Sequence, residues 1–316
     1  MDWKLIMKPI LSVGDKKSPK IIADRLKALR PDPIGDVKKA KGIMDIIVNE
    51  LKTKDPFNKT NIQMAGSLKK NTMLTSRNEL DIVVSLPINL RKSYPPTLNT
   101  RKALQSQIVK LYNVDEPKVN QQNVIIEKKG WKIDILPTFS IEITDFLKKT
   151  EKEKQVYKPY MSLLHIDFVM KRGQKYQEFC RLVKYWTNGP QYISDRFPYT
   201  SSWFIELIAA SVYDVCDSTL NLLQLFDCFL RRIRNMKRKK IYMAFSDYYN
   251  KEQFRDKWRG KLAVIEPTNP NDNIAERGYQ SKNMTQLVKR AKETIGIWEE
   301  KGFNQVFQNY FSRQPD

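Results

Sequence analysis

The run Glu79-Leu80-Asp81-Ile82-Val83-Val84-Ser85-Leu86 constrains this chain more than any other segment. Its aliphatic and β-branched residues predict a strand, and strand alternation sends both carboxylates to one face. Their Cα atoms then stand about 7 Å apart. Two like charges on one face of an apolar strand are costly unless a cation lies between them, and a hard divalent ion is the usual one. A solvated Glu-x-Asp strand edge is the plain alternative, so further converging residues have to decide.

A third carboxylate supplies part of that convergence. Asp134 lies in Trp131-Lys132-Ile133-Asp134-Ile135-Leu136-Pro137, a second β-like run over 132–136 that Pro137 is expected to end. A turn at 128–131 joins it to a strand over 124–127. Three strand-borne carboxylates around paired metal ions suit in-line phosphoryl transfer. Upstream, Ile62-Gln63-Met64-Ala65 reads as a short strand running into Gly66-Ser67, a turn that can present backbone N–H groups and a hydroxyl to a phosphate.

Competing chemistries lack their residues. The single histidine, His165, reads as a packed residue at the start of a helix rather than a catalytic base. Cys180, Cys216 and Cys228 sit in apolar helical contexts without zinc-ligand spacing. No apolar stretch approaches the roughly 20 residues that span a bilayer, and the first residues lack a signal-peptide pattern, so a cytoplasmic protein that does not bind membranes is expected.

Helical periodicity organises the rest. Asp36 reads as the N-cap of a helix to about Leu51, with Val37, Ala40, Met44, Ile47, Val48 and Leu51 on one face and Lys38, Lys39 and Lys41 largely off it. A short helix is expected over 21–29, and another over 101–111. From about Tyr157 helices dominate, over 176–186, 202–216, 219–236 and 284–302. The pattern is α+β followed by α, divided into lobes 1–155 and 156–316, with a cleft expected between them.

Gly66-Ser67, then Glu79-x-Asp81 opening an apolar strand, then Asp134 in an Ile-Asp-Ile strand, resembles the signature of polymerase-beta-like nucleotidyltransferases. The likeness extends over about residues 36 to 300 and is to the branch of 2′-5′-oligoadenylate synthetases, cyclic GMP-AMP synthase and bacterial CD-NTases. It implies a two-lobed fold with a mixed-sheet catalytic core lobe and a C-terminal helical lobe, with Glu79, Asp81 and Asp134 as catalytic ligands of Mg2+ or Mn2+. Gly66 and Ser67 would meet phosphate. Arg181-Leu182-Val183-Lys184-Tyr185-Trp186 resembles that branch's helix whose lysine contacts the donor triphosphate. Ser201-Ser202-Trp203 is similar to the segment where a serine holds phosphate and an aromatic stacks on a base. Val264-Ile265-Glu266-Pro267-Thr268-Asn269-Pro270-Asn271-Asp272-Asn273 resembles the synthetases' Asp-Pro…Asn stretch beside the nucleotide. On residue type alone, Lys184 can equally face solvent, Trp203 can be core, and Asn269 and Asn273 can cap turns. The sequence departs from oligoadenylate synthetases at Glu79, where they carry Asp, and at Ser202-Trp203, where they carry Gln-Tyr. The zinc thumb of vertebrate cyclic GMP-AMP synthase has no counterpart.

Charge adds a possible partner. Lys and Arg total 56 against 35 Asp and Glu, a net charge of +21, which attracts polyanions. One cationic block is Arg231-Arg232-Ile233-Arg234-Asn235-Met236-Lys237-Arg238-Lys239-Lys240. Another comprises Lys16, Lys17, Lys20, Arg25, Lys27 and Arg30 ahead of Lys38, Lys39 and Lys41. Related sensors bind duplexes along this N-terminal helix, so the resemblance implies double-stranded RNA as an activator of an enzyme that joins ATP or other NTPs into a 2′-5′-linked or cyclic second messenger in antiviral signalling. A constitutive cyclase, an RNA 3′-end nucleotidyltransferase and a catalytically dead RNA-binding relative remain the alternatives.

Overall fold

The computed structural model describes residues 36–74, 78–113, 123–188, 201–216, 219–236, 241–258, 262–278 and 281–311, with positions 20 and 24. The helix expected over 21–29, the cations Lys16, Lys17, Arg25, Lys27 and Arg30, and the run 237–240 lie outside the described residues. Two compact units form. One is Arg30–Lys171 and the other is built on Arg172–Asp316.

In the first unit, helix α1 (Asp36–Lys52) buries Ala40, Ile43, Met44, Ile47 and Leu51 and exposes Lys38, Lys39 and Lys41. Ile43 joins the apolar face alongside the positions that periodicity marks. Gly42 lies on the exposed face with open space where a Cβ would project. Gly42→Ala should therefore stabilise the protein by about 0.5–1 kcal/mol, since only unfolded-chain entropy changes. An unchanged or lower urea midpoint would show that the helix does not need its propensity there.

Strand β1 (Asn61–Ala65) leads through the one-turn helix α2 (Gly66–Lys69) to β2 (Glu79–Leu86). Helix α3 (Leu98–Tyr112) starts at Thr97, whose side chain accepts the Thr100 amide. Strands β3 (Val124–Lys128) and β4 (Trp131–Phe139) form a hairpin. Its two-residue turn places Lys129 at φ 52° and Gly130 at φ 75°, the positive angles that match strand twist. The sheet order is β1-β2-β4-β3; β2 and β4 are parallel and both outer pairings antiparallel. This is the expected mixed sheet.

Pro137 does not end β4, which continues to Phe139 with Pro137 opposite Val84. The amides of Lys132 and Ser140 donate to carbonyls of Asn78 and Leu86, so even-numbered amides of β4 face β2. Position 137 faces the other way, where among the described residues β3 pairs no further than Val124 with Ile135. Its missing N–H costs no ladder bond to the described residues.

Leu80, Ile82, Val84 and Leu86 of β2 and Ile133 and Ile135 of β4 join α1 in the main core. The opposite sheet face is covered at one end by α5 (Glu151–Met170), which follows the short helix α4 (Ile143–Lys148) and whose Leu163 and Ile166 pack with Val83, Leu136 and Ala65. Helix α5 opens with a capping box between Thr150 and Glu153. Because it packs on this sheet, the compact units divide after Lys171, further along than the change in composition near 155. His165 stands in the penultimate turn of α5 rather than at a helix start.

The second unit is mainly helical: α6 (Gly173–Asn188), α7 (Ser202–Tyr213), α8 (Leu222–Asn235), α9 (Arg255–Trp258), α10 (Ile274–Gly278), α11 (Ser281–Lys301) and α12 (Phe303–Tyr310). It also holds a small sheet, in the order β5 (Tyr242–Met243), β6 (Ala263–Glu266) and β7 (Asn269–Asn273). Its apolar centre includes Trp186, Phe226 and Phe229, whose rings meet edge to face at about 6 Å.

Candidate active site

The in-register pairing of β2 with β4 sets Asp81 directly beside Asp134 and Glu79 beside Lys132. Paired residues of parallel strands share a face, so these four side chains occupy one end of the face whose other end α5 covers. Asp134 has a mostly buried side chain, while Glu79 is 41% exposed. Lys132 reaches both, with Nζ 3.8 Å from Glu79 Oε1 and 3.3 Å from Asp134 Oδ2. Asn123, just ahead of β3, donates its side-chain amide to Asp134 Oδ1.

Burial pushes the Asp81 carboxyl up to about 6, and the Asp134 charge adds to the shift. Lys70 opposes it, Glu79 adds a smaller push, and Lys132 pulls the other way. Lys70 closes the turn after α2 and is itself buried.

Gly66 adopts φ +68°, and a Cβ there would lie 1.7 Å from Asp81 Oδ2 and 2.9 Å from Asp81 Cβ. The Asp81 carboxylate therefore rests in space that only glycine leaves free. Ser67 follows, its carbonyl accepting the amides of Thr72 and Met73, which folds the chain back toward β2.

Among the described residues, no three His, Cys, Asp or Glu side chains form a group poised to hold a metal ion. The carboxylates share a face without closing on one point, and the Lys132 ammonium pairs with two of them. Their chemistry nonetheless fits a hard divalent cation: the donors are oxygens, and two are neighbours whose charges repel.

The residues expected to meet the nucleotide belong to the second unit. Lys184 on α6 neither faces solvent nor stands alone. It is buried, and its Nζ donates to Glu206 Oε1 at 3.0 Å, on the apolar helix α7. Ser202 is the first residue of α7. Half-buried Trp203 donates its indole N–H to Glu266 Oε2 at 2.9 Å, and Glu266 Oε1 accepts from the Thr268 hydroxyl. Asn269 Oδ1 accepts the Asn271 amide, and Asn273 holds the amides of Val264 and Ala275. The Asn269 and Asn273 side chains thus shape the β6–β7 hairpin through turn bonds.

Sequence patterns do not mark Lys70, Asn123 or Glu266 for these roles. Lys132 had a signal, since alternation places it on the face of Asp134. Glu206 had one too, as the single charge in Trp203-Phe204-Ile205-Glu206-Leu207-Ile208. The cationic block at the end of α8 divides. Arg231 pairs with Asp227 and Glu299, and Arg232 donates to the Ser211 carbonyl, both largely buried.

Breaking the Lys184–Glu206 pair should be costly because it leaves a carboxylate inside an apolar helix packing without its ammonium. Lys184→Met is expected to lose about 3 kcal/mol, and Lys184→Met with Glu206→Leu to regain most of it. Urea unfolding of the three proteins reads this. Equal stability of the single variant and wild type would mean the pair contributes nothing.

Fold and site together define a nucleotidyltransferase of the polymerase-beta-like class. The family described as 2′-5′-oligoadenylate synthetase 1, domain 2, C-terminus, matches residues 137–309, and the chain belongs to that family. It is 24% identical over 274 residues to the cyclic AMP-AMP-AMP synthase of Escherichia coli (strain MS 115-1), covering 81% of each chain. Among solved structures it is similar to CdnC from E. coli MS115-1 in complex with HORMA-deltaN, at TM-score 0.66 and 22% identity over 92% of this chain and 95% of that one. The Cid1 poly(U) polymerase with Mg and 3′-dATP shares the fold at TM-score 0.66 and 14% identity, over 95% and 100% of the two chains.

Proposed function

We propose that this enzyme joins ATP or other NTPs, without a template, into a short 2′-5′-linked or cyclic oligonucleotide that acts as a second messenger in antiviral defence, and that double-stranded RNA activates it. The observation that carries the chemistry is the in-register pair Asp81 and Asp134 on adjacent parallel strands. Membership of the oligoadenylate synthetase family and likeness to a cyclic AMP-AMP-AMP synthase support the product class.

Glu79, Asp81 and Asp134 would hold Mg2+ or Mn2+, which when bound neutralises triphosphate charge and makes an attacking hydroxyl more acidic. The protein's own groups do the remainder. Gly66 lets the backbone pass close to Asp81, and Ser67 offers its hydroxyl and amide to phosphate. Asn123 orients Asp134 through its side-chain amide. In the second unit Ser202 takes a phosphate oxygen, and Lys184 would do so by turning its ammonium from Glu206 toward the triphosphate. Trp203, its indole N–H fixed by Glu266, stacks on a base, with Asn269 alongside. Lys38, Lys39 and Lys41, all exposed on α1, take the phosphates of duplex RNA.

Incubation of the protein with labelled NTPs and Mg2+ or Mn2+, with and without duplex RNA, tests the proposal. A short messenger formed in an RNA-stimulated reaction is the expected result. Full activity without RNA would make the enzyme a constitutive synthase, and extension of the RNA itself would make it a 3′-end transferase. No product under any condition would leave an RNA-binding relative without catalysis.

A further inference from the structure

We propose that Lys132 is a built-in counter-cation of the carboxylate cluster, which holds Glu79 and Asp134 in the metal-free protein and competes with the divalent ion for them. The inference rests on the metal-site reading above and deepens it. It comes from register. Pairing of β2 with β4 places Lys132 directly across from Glu79, and alternation along β4 puts it on the same face as Asp134. Its ammonium lies 3.8 Å from one carboxylate and 3.3 Å from the other. It comes from a strand position, so the backbone gives it no route away from the cluster; only its flexible four-carbon stem does.

Two consequences follow from charge alone. With the ammonium in place, part of the repulsion among the carboxylates is already offset, so the sheet can fold before any metal arrives. A divalent ion entering the cluster then meets a positive charge beside two of its oxygens, and the lysine must swing toward solvent, where 44% of its side chain is already exposed. Lys132 would thereby weaken affinity for a bare ion and favour one that arrives with an anionic triphosphate, whose oxygens give the displaced ammonium a new partner. Metal and nucleotide would load together rather than in turn.

Binding of Mn2+ to the nucleotide-free protein, read by electron paramagnetic resonance of the free ion, tests this on wild type, Lys132→Met, Lys132→Arg and Asp81→Asn. Lys132→Met should bind Mn2+ about tenfold more tightly than wild type, the scale expected for removing one nearby, partly solvated charge. Lys132→Arg should stay near wild type, and Asp81→Asn should bind much more weakly. In EDTA, Lys132→Met should melt below wild type. Unchanged or weaker Mn2+ affinity in Lys132→Met, with Asp81→Asn impaired, would overturn the competition while leaving the metal site intact. Wild-type affinity in Asp81→Asn, or no saturable Mn2+ binding by any protein even with a non-hydrolysable NTP present, would overturn the metal-site reading and this inference with it.

Discussion

Asp81→Asn should reduce nucleotide transfer to background while raising the melting temperature of the metal-free protein. The two effects have one origin. The Asp81 carboxyl is pushed from 3.8 to about 6 by burial and by Asp134, so folding disfavours its ionised form. The penalty is absent below about pH 3, where the group is protonated folded and unfolded alike. It grows as pH rises through 3.8 toward about 6 and is fully present at pH 7. At about 1.4 kcal/mol per pK unit it amounts to about 2–3 kcal/mol, or several degrees of melting temperature in EDTA. Asparagine keeps the shape that fits against Gly66 and removes the charge. Thermal melts at pH 7.5 and about pH 3 should show the gain only at the higher value. Near wild-type turnover in Asp81→Asn would remove Asp81 from the catalytic set. A lower melting temperature at pH 7.5 would show that Lys70 and Lys132 make its charge stabilising.

Gly66→Ala is expected to be nearly as damaging to activity through a different route. A methyl group at Gly66 would overlap the Asp81 side chain, with 1.7 Å to Oδ2 and 2.9 Å even to Cβ. Relief by rotating the carboxylate alone is insufficient, because the Cβ of Asp81 is fixed by β2. The carboxylate must leave its position beside Asp134, and misplacement on the order of 1 Å costs about a hundredfold in rate. The positive φ adds strain of about 1–2 kcal/mol for any residue with a side chain. A double-mutant cycle separates the two: Asp81→Gly removes the overlap, Cβ included, but not the strain, so Gly66→Ala should destabilise less in that background. Equal losses in both backgrounds would place the whole effect in backbone conformation. Retained turnover would mean that Asp81 can move without consequence.

The family and the fold are legible in a few short segments because those segments are local. Glu79 and Asp81 share a face whatever the partner strand, since strand alternation has period two. The helix from Asp36 shows its buried side through spacing, and Ala40, Met44, Ile47 and Leu51 are buried as that spacing requires. Helix ends are less legible. The helix read as 219–236 begins at Leu222 because Asn221 and Gln224 form its capping box. Pro137 shows the opposite failure. Its ring forbids one hydrogen bond, and only the direction of the β2–β4 ladder reveals that the bond forbidden is not one to β2.

By itself the sequence determined which residues carry charge along β2 and β4, which helices are amphipathic, and where glycine permits a tight turn. The tertiary structure alone decided that Asp81 stands beside Asp134, since a one-residue slip between β2 and β4 would have sent one of them to the opposite face. It also decided that the Asp81 carboxylate occupies the space a side chain at 66 would need. Lys132 joins the carboxylates, and Lys184 is buried against Glu206 rather than facing solvent. The physical reason is the same throughout. Periodicity is a property of neighbouring residues, whereas charge pairing and steric fit depend on register and packing between segments far apart in the chain.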